Sequence, residues 1–126
     1  MNFFAGDVGS GKTIVSLLAM MSVVDSGWQC AFMVPTEILA LQHAKKLEEF
    51  LALVRARAGG DFEAPKVVVL TGSMKAREKK EAMEATADGS ARITFGTHAL
   101  ISEGVQFKKL GLAVIDEQHK FGVEQR

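Results

Sequence analysis

At 126 residues, 48% of them apolar and 24% charged, the chain has the size and composition of one globular domain, which excludes a disordered tail. Lys plus Arg and Asp plus Glu each number 15, so the net charge is zero; binding driven by a global positive field is excluded, though local contacts to phosphates are not. A lone cysteine, Cys30, excludes an internal disulfide, and the longest mostly apolar stretch, residues 14–24, is too short to span a bilayer, so the expectation is a cytoplasmic domain with no membrane partner.

Residues 2–5 (Asn-Phe-Phe-Ala) are a short predicted strand that ends at Gly6. Residues 14–24 are apolar almost all round, which suits a helix buried against a sheet, and Ser26-Gly27 stops it. Residues 30–34 have the length and apolarity of a strand, closed by Pro35. Thr36 is the expected N-cap of a long helix. Its predicted apolar stripe is Ile38, Leu41, Ala44, Leu47, Leu51, Val54 and Ala58, and Gly59-Gly60 ends it. Residues 66–70 contain three consecutive valines and predict a strand. Residues 75–87 form a mixed-charge helix with a solvated face. Residues 92–95 and 112–115 predict two more strands. Apolar strands alternating with helices predict an α/β fold of three layers, a mostly parallel sheet with helices on both faces.

The strongest local signal runs from Gly6 through Asp7, Val8, Gly9, Ser10, Gly11, Lys12 and Thr13. It fits G-x-x-x-x-G-K-[ST] between a predicted strand and a predicted helix, which is where a phosphate-binding loop sits. Gly6, Gly9 and Gly11 let the backbone turn tightly and aim N–H groups at phosphate oxygens, at the positive end of the helix that follows. Lys12 then reaches the β- and γ-phosphates, and the Thr13 hydroxyl is a ligand for Mg²⁺. The alternative is a Gly-rich turn ahead of a helix; a chance match in this length is on the order of 1%.

A nucleotide hydrolase also needs a carboxylate for the metal and a group to orient water. Residues 112–115 are apolar and lead into Asp116 and Glu117. A parallel strand carries Asp116 to the sheet edge at which the phosphate loop also lies. There Asp116 holds Mg²⁺ through water and Glu117 polarises the attacking water. Alone, the pair also reads as an ordinary Asp-Glu turn.

Asp116-Glu117-Gln118-His119 is a DExH box, and with the phosphate loop it resembles the first motor domain of superfamily 2 helicases. Pro35-Thr36-Glu37-Ile38-Leu39-Ala40 with Gln42-His43, Leu70-Thr71-Gly72-Ser73, Gly96-Thr97-His98-Ala99-Leu100-Ile101 and residues 116–126 narrow this to the RecG-type helicases. Ser10 and Gln118 favour that family over the transcription–repair coupling translocases, which usually carry an aromatic and an acidic residue there. The resemblance implies a RecA-like, ATP- and Mg²⁺-dependent motor domain, with Lys12, Asp116, Glu117 and His119 as its catalytic set. It implies that His119 couples the nucleotide site to DNA. Backbone contacts to branched or duplex DNA fall, by the same resemblance, to three segments: Pro35, Thr36 and Glu37; Thr71, Gly72 and Ser73; and Gly96, Thr97 and His98. Such contacts position nucleic acid without reading sequence. With no Tyr and one Trp, Trp28, there is no obvious base-stacking platform.

Three histidines without a neighbouring cysteine or a short His-x-His spacing do not make a zinc site, and His43 and His98 suit structural hydrogen bonding. Residues 1–126 are expected to be one partial motor domain, partnered in the complete protein by a DNA-wedge domain and a second motor domain that carries an arginine finger. In the family, a strand bearing motif III lies between the phosphate-loop and DExH strands. Its absence from this sequence carries an expectation of self-association and of little ATP turnover. The alternative functions are a coupling-translocase motor and a nucleotide-dependent binding module without turnover.

Overall fold

The computed structural model describes residues 11–59 and 62–116. The predicted strand at residues 2–5, the loop residues Gly6, Asp7, Val8, Gly9 and Ser10, and the box residues Glu117 and His119 lie outside them. The elements in chain order are α1 (Gly11–Asp25), β1 (Gln29–Val34), α2 (Glu37–Arg57), β2 (Val67–Leu70), α3 (Ala76–Asp88), β3 (Ile93–Thr97), α4 (His98–Gly104) and β4 (Leu110–Ile115). The four strands form one sheet in the order β2-β3-β1-β4, and every pair is parallel. No helix among the described residues is long and apolar enough to cross a membrane.

β1 is central, and all six of its residues are buried, which is why its sequence is a continuous apolar run and not an alternating one. Cys30, Phe32 and Val34 share one face with Ile93, Phe95, Leu112 and Val114; Met20 of α1 and Ala40, Ala44, Leu47 and Leu51 of α2 cover it. Ala31 and Met33 point the other way, into a smaller cluster with Ile101 of α4, Phe107, Ala113 and Ile115. α3 lies on that second face too, where the Thr86 and Thr94 hydroxyls meet at 3.2 Å. Helices therefore cover both faces, and the three-layer parallel α/β expectation is met.

Two local readings need correction. The buried stripe of α2 is Ala40, Ala44, Leu47 and Leu51, whereas Ile38 and Leu41 are 67% and 56% exposed. The reason is volume: Phe32 and Phe95, with ring centroids 5.2 Å apart, already fill the sheet surface. Alanines at 40 and 44 let the helix come close where Ile and Leu could not. The second correction is at β3, which runs through Thr97 and passes directly into α4, a helix that the sequence pattern had not suggested.

The start of β1 carries the other surprise, a buried glutamine. Gln29 Nε2 donates to the carbonyls of Thr86 and Ala91 at 2.9 and 2.8 Å, and its Oε1 accepts the Lys109 N–H at 2.7 Å. One side chain thus ties α3, the lead-in to β3 and the lead-in to β4 together. The α1–β1 turn behind it is made by Gly27 at φ +93, a left-handed conformation that costs glycine little.

Candidate functional site

Because the strands are parallel, the segments that follow them emerge along one edge. In sheet order these are Thr71–Ser73 after β2, Thr97–His98 after β3, Pro35–Glu37 after β1 and Asp116 after β4. α1 runs back against the strands: near its end, Val23 packs beside Gly111 at the start of β4. A 15-residue helix is about 22 Å long, close to the roughly 20 Å of a six-residue strand. Its first turn, residues 11–13, therefore returns to the same edge as Asp116.

Asp116 is the buried carboxylate of this rim, with 2% of its surface exposed. Its N–H donates to Met33 O at 2.8 Å, which holds the end of β4 against β1. His43 Nε2 of α2 lies 3.1 Å from Asp116 Oδ2, and the Phe32 ring packs on the imidazole at 5.0 Å between centroids. His43 stands inside a motif of α2, 73 positions from Asp116 in sequence, and that separation hides the pairing from any local pattern. Among the described residues no group of three His, Cys, Asp or Glu side chains could hold a metal alone.

The three turns beside it are built in two ways. Thr36 and Thr97 are N-caps: the Thr36 hydroxyl accepts from Leu39 N–H at 3.2 Å, and Thr97 accepts from Leu100 N–H at 3.4 Å. Each hydroxyl still has its own O–H to donate. Thr71 is buried, with its N–H directed at Met74 Sδ, 3.3 Å away. Gly72 N–H and Ser73 Oγ–H both donate to the Glu37 carboxylate, at 2.7 and 2.8 Å. The hydrogen bonds from Ser73 and Gly72 hold the Glu37 carboxyl below its usual 4.5. Gly96 is buried in β3; a Cβ there would lie 3.0 Å from both Leu70 O and Ile101 Cδ1, so glycine is what lets α4 seat on the sheet. Pro35 is half-buried, and His98 is exposed at the first position of α4.

Comparison with known proteins agrees with the resemblance that the motifs carried. The family model for the DEAD/DEAH box helicase matches residues 2–126. Over 123 residues, 96% of this chain, the sequence is 50% identical to the ATP-dependent DNA helicase RecG of Mycobacterium bovis, of which it spans 17%. It is 52% identical over 121 residues to the protein of the same name from Streptococcus pneumoniae, spanning 16% of that protein. A solved structure of RecG bound to a three-way DNA junction matches with a TM-score of 0.76 at 41% identity, covering 97% of this chain and 16% of that one. The chain thus corresponds to about one-sixth of the proteins it matches.

Proposed function

The chain belongs to the DEAD/DEAH box helicase family, and from that premise we propose that it is the ATP-binding portion of a RecG-type DNA helicase, a motor that uses ATP hydrolysis to move on duplex DNA and remodel forks and junctions. The observation that carries this reading is the shared rim: the first turn of α1, Asp116 and the three segments expected to face DNA all lie at the C-terminal edge of one parallel sheet.

In this reading the Gly6–Thr13 loop cradles the nucleotide phosphates with main-chain N–H groups, and Lys12 neutralises the β- and γ-phosphates. Thr13 and Asp116 would hold Mg²⁺; when bound, the ion neutralises charge on the phosphate oxygens. Glu117 orients the attacking water, and His119 links the nucleotide side to the DNA side. The family's arginine finger belongs to a second motor domain, and a finger is worth about 10³–10⁵ in rate, so these 126 residues by themselves turn ATP over slowly.

DNA is held by its backbone along the same rim. Thr36 and Thr97 offer hydroxyl donors, with His98 beside them, while Pro35 and Gly96 shape the two segments. Thr71, Gly72 and Ser73 form a turn that Glu37 holds in place. Recognition is by phosphate and not by stacking: Trp28 lies at the opposite edge, with Lys109 Nζ 4.8 Å above its ring.

Calorimetry tests the nucleotide reading directly. MgADP should bind the chain, and Lys12→Ala should weaken binding by the roughly 1.5–3 kcal/mol of a charged hydrogen bond, about ten- to a hundredfold. Equal affinity for the two proteins would overturn the assignment of Lys12.

A further inference from the structure

The Asp116 carboxylate meets a side chain from a different part of the chain. Its side chain is wholly buried, and His43 Nε2 sits 3.1 Å from Oδ2. A carboxylate oxygen only accepts, so Nε2 carries the hydrogen of this bond. The imidazole is fixed in turn: its side chain is 14% exposed, and Phe32 packs against it with the rings tilted by 34°. A buried polar pair at this place is costly unless it serves a purpose, since an apolar pair of similar volume packs as well without the desolvation penalty.

We propose that His43 is a positioning residue for the nucleotide-bound metal: it sets the rotation of the Asp116 carboxylate that serves Mg²⁺. This rests on the reading of Asp116 as the metal carboxylate. It also gives α2 a direct connection to the nucleotide site. The first turn of α2 carries Glu37, which grips the Thr71–Ser73 turn, while His43, further along the same helix, grips Asp116.

The test is ADP binding to the 126-residue chain by calorimetry, once with magnesium and once in EDTA, for the wild type, His43→Leu and His43→Gln, with a thermal melt of each. Groups that orient metal ligands are typically worth about 10–100-fold in metal affinity. His43→Leu should therefore weaken binding about tenfold with magnesium while leaving the value in EDTA nearly unchanged. His43→Gln, whose amide N–H reaches to a position similar to Nε2, should retain most of the magnesium advantage. Should the leucine variant fail to fold, His43→Asn replaces it: its shorter amide falls short of Asp116 and should lose the advantage that Gln keeps. The proposal is overturned if the Leu variant, or the Asn variant in its place, keeps the full wild-type magnesium advantage, or if it loses affinity equally in both conditions, as a merely structural residue would. Asp116→Asn separates the underlying reading. If Asp116→Asn keeps the wild-type difference between magnesium and EDTA, Asp116 is not the metal carboxylate, and the proposal falls with that reading.

Discussion

Ser73 Oγ donates to Glu37 Oε1 at 2.8 Å, joining the turn after β2 to the start of α2 across 36 residues of sequence. The neighbouring Gly72 N–H donates to Oε2 at 2.7 Å, so both carboxylate oxygens are engaged by a single turn. Two of the donors that the motif pattern offered to DNA are thus spent on internal structure. The pair turns two separate loops into one ledge.

The Glu37 carboxyl should titrate below its usual 4.5, because the Ser73 and Gly72 hydrogen bonds favour the charged form. A folded value below the unfolded one adds stability that is present above the unfolded value and lost as pH falls through the folded value. The ledge should therefore loosen only below about pH 4.5. Side-chain NMR titration measures the midpoint, and Ser73→Ala should move it upward. A midpoint at the ordinary value in both proteins would show that the turn is not gripped.

Gln29→Leu should destabilise the fold although it adds an apolar side chain to a buried site. It leaves the carbonyls of Thr86 and Ala91 and the Lys109 N–H without their side-chain partner. One such unmet buried group costs about 1–3 kcal/mol, and part of the total is offset by the apolar gain. A net loss of about 2 kcal/mol is expected in urea unfolding. Gln29→Glu should be worse, since a carboxylate cannot donate to either carbonyl and brings a buried charge.

Gly96→Ala should cost about 1–3 kcal/mol, the usual range for overpacking. The added Cβ meets Leu70 O at 3.0 Å, and a backbone carbonyl in the sheet cannot move aside as a side chain can. Gly104→Ala is the control: nothing lies within 4 Å of a Cβ there, so the substitution should be neutral or slightly stabilising. Urea midpoints of the two variants should diverge, and equal midpoints would contradict the close packing of α4 on the sheet.

Cys30 should be inert to thiol reagents in the native protein. Burial pushes its thiol up to about 12, and the Arg92 charge offsets only part of this. The folded value lies above the unfolded 9.0, so the contribution to stability is constant below about pH 9 and falls as pH rises toward 12. Ellman's reagent at pH 8 should label the chain only after denaturant is added. In alkaline unfolding, Cys30→Ala should remove the part of the loss that begins near pH 9. Prompt labelling of the native chain would contradict the burial of the sulfur.

Much of the architecture is written in short stretches of sequence. The run Cys-Ala-Phe-Met-Val before Pro35, the three valines at 67–69 and the N-cap at Thr36 each act through neighbours a few residues away, so the parallel α/β plan and most of its described elements, α4 excepted, could be read locally. Which loops lie side by side could not, because that follows from the strand order β2-β3-β1-β4, set by how the helices pack back across the sheet. The His43–Asp116 pair, the grip of Glu37 on Gly72 and Ser73, and the burial of Gln29 all join residues more than thirty positions apart. The face that α2 buries belongs with them. Periodicity alone put Ile38 and Leu41 inward, and only the bulk of Phe32 and Phe95 on the opposing sheet decides that alanines go there instead. Residue type and spacing thus determined the motifs and the family they point to, and the tertiary structure decided which distant side chains meet, since hydrogen bonds and volumes between distant segments exist only once the sheet has assembled.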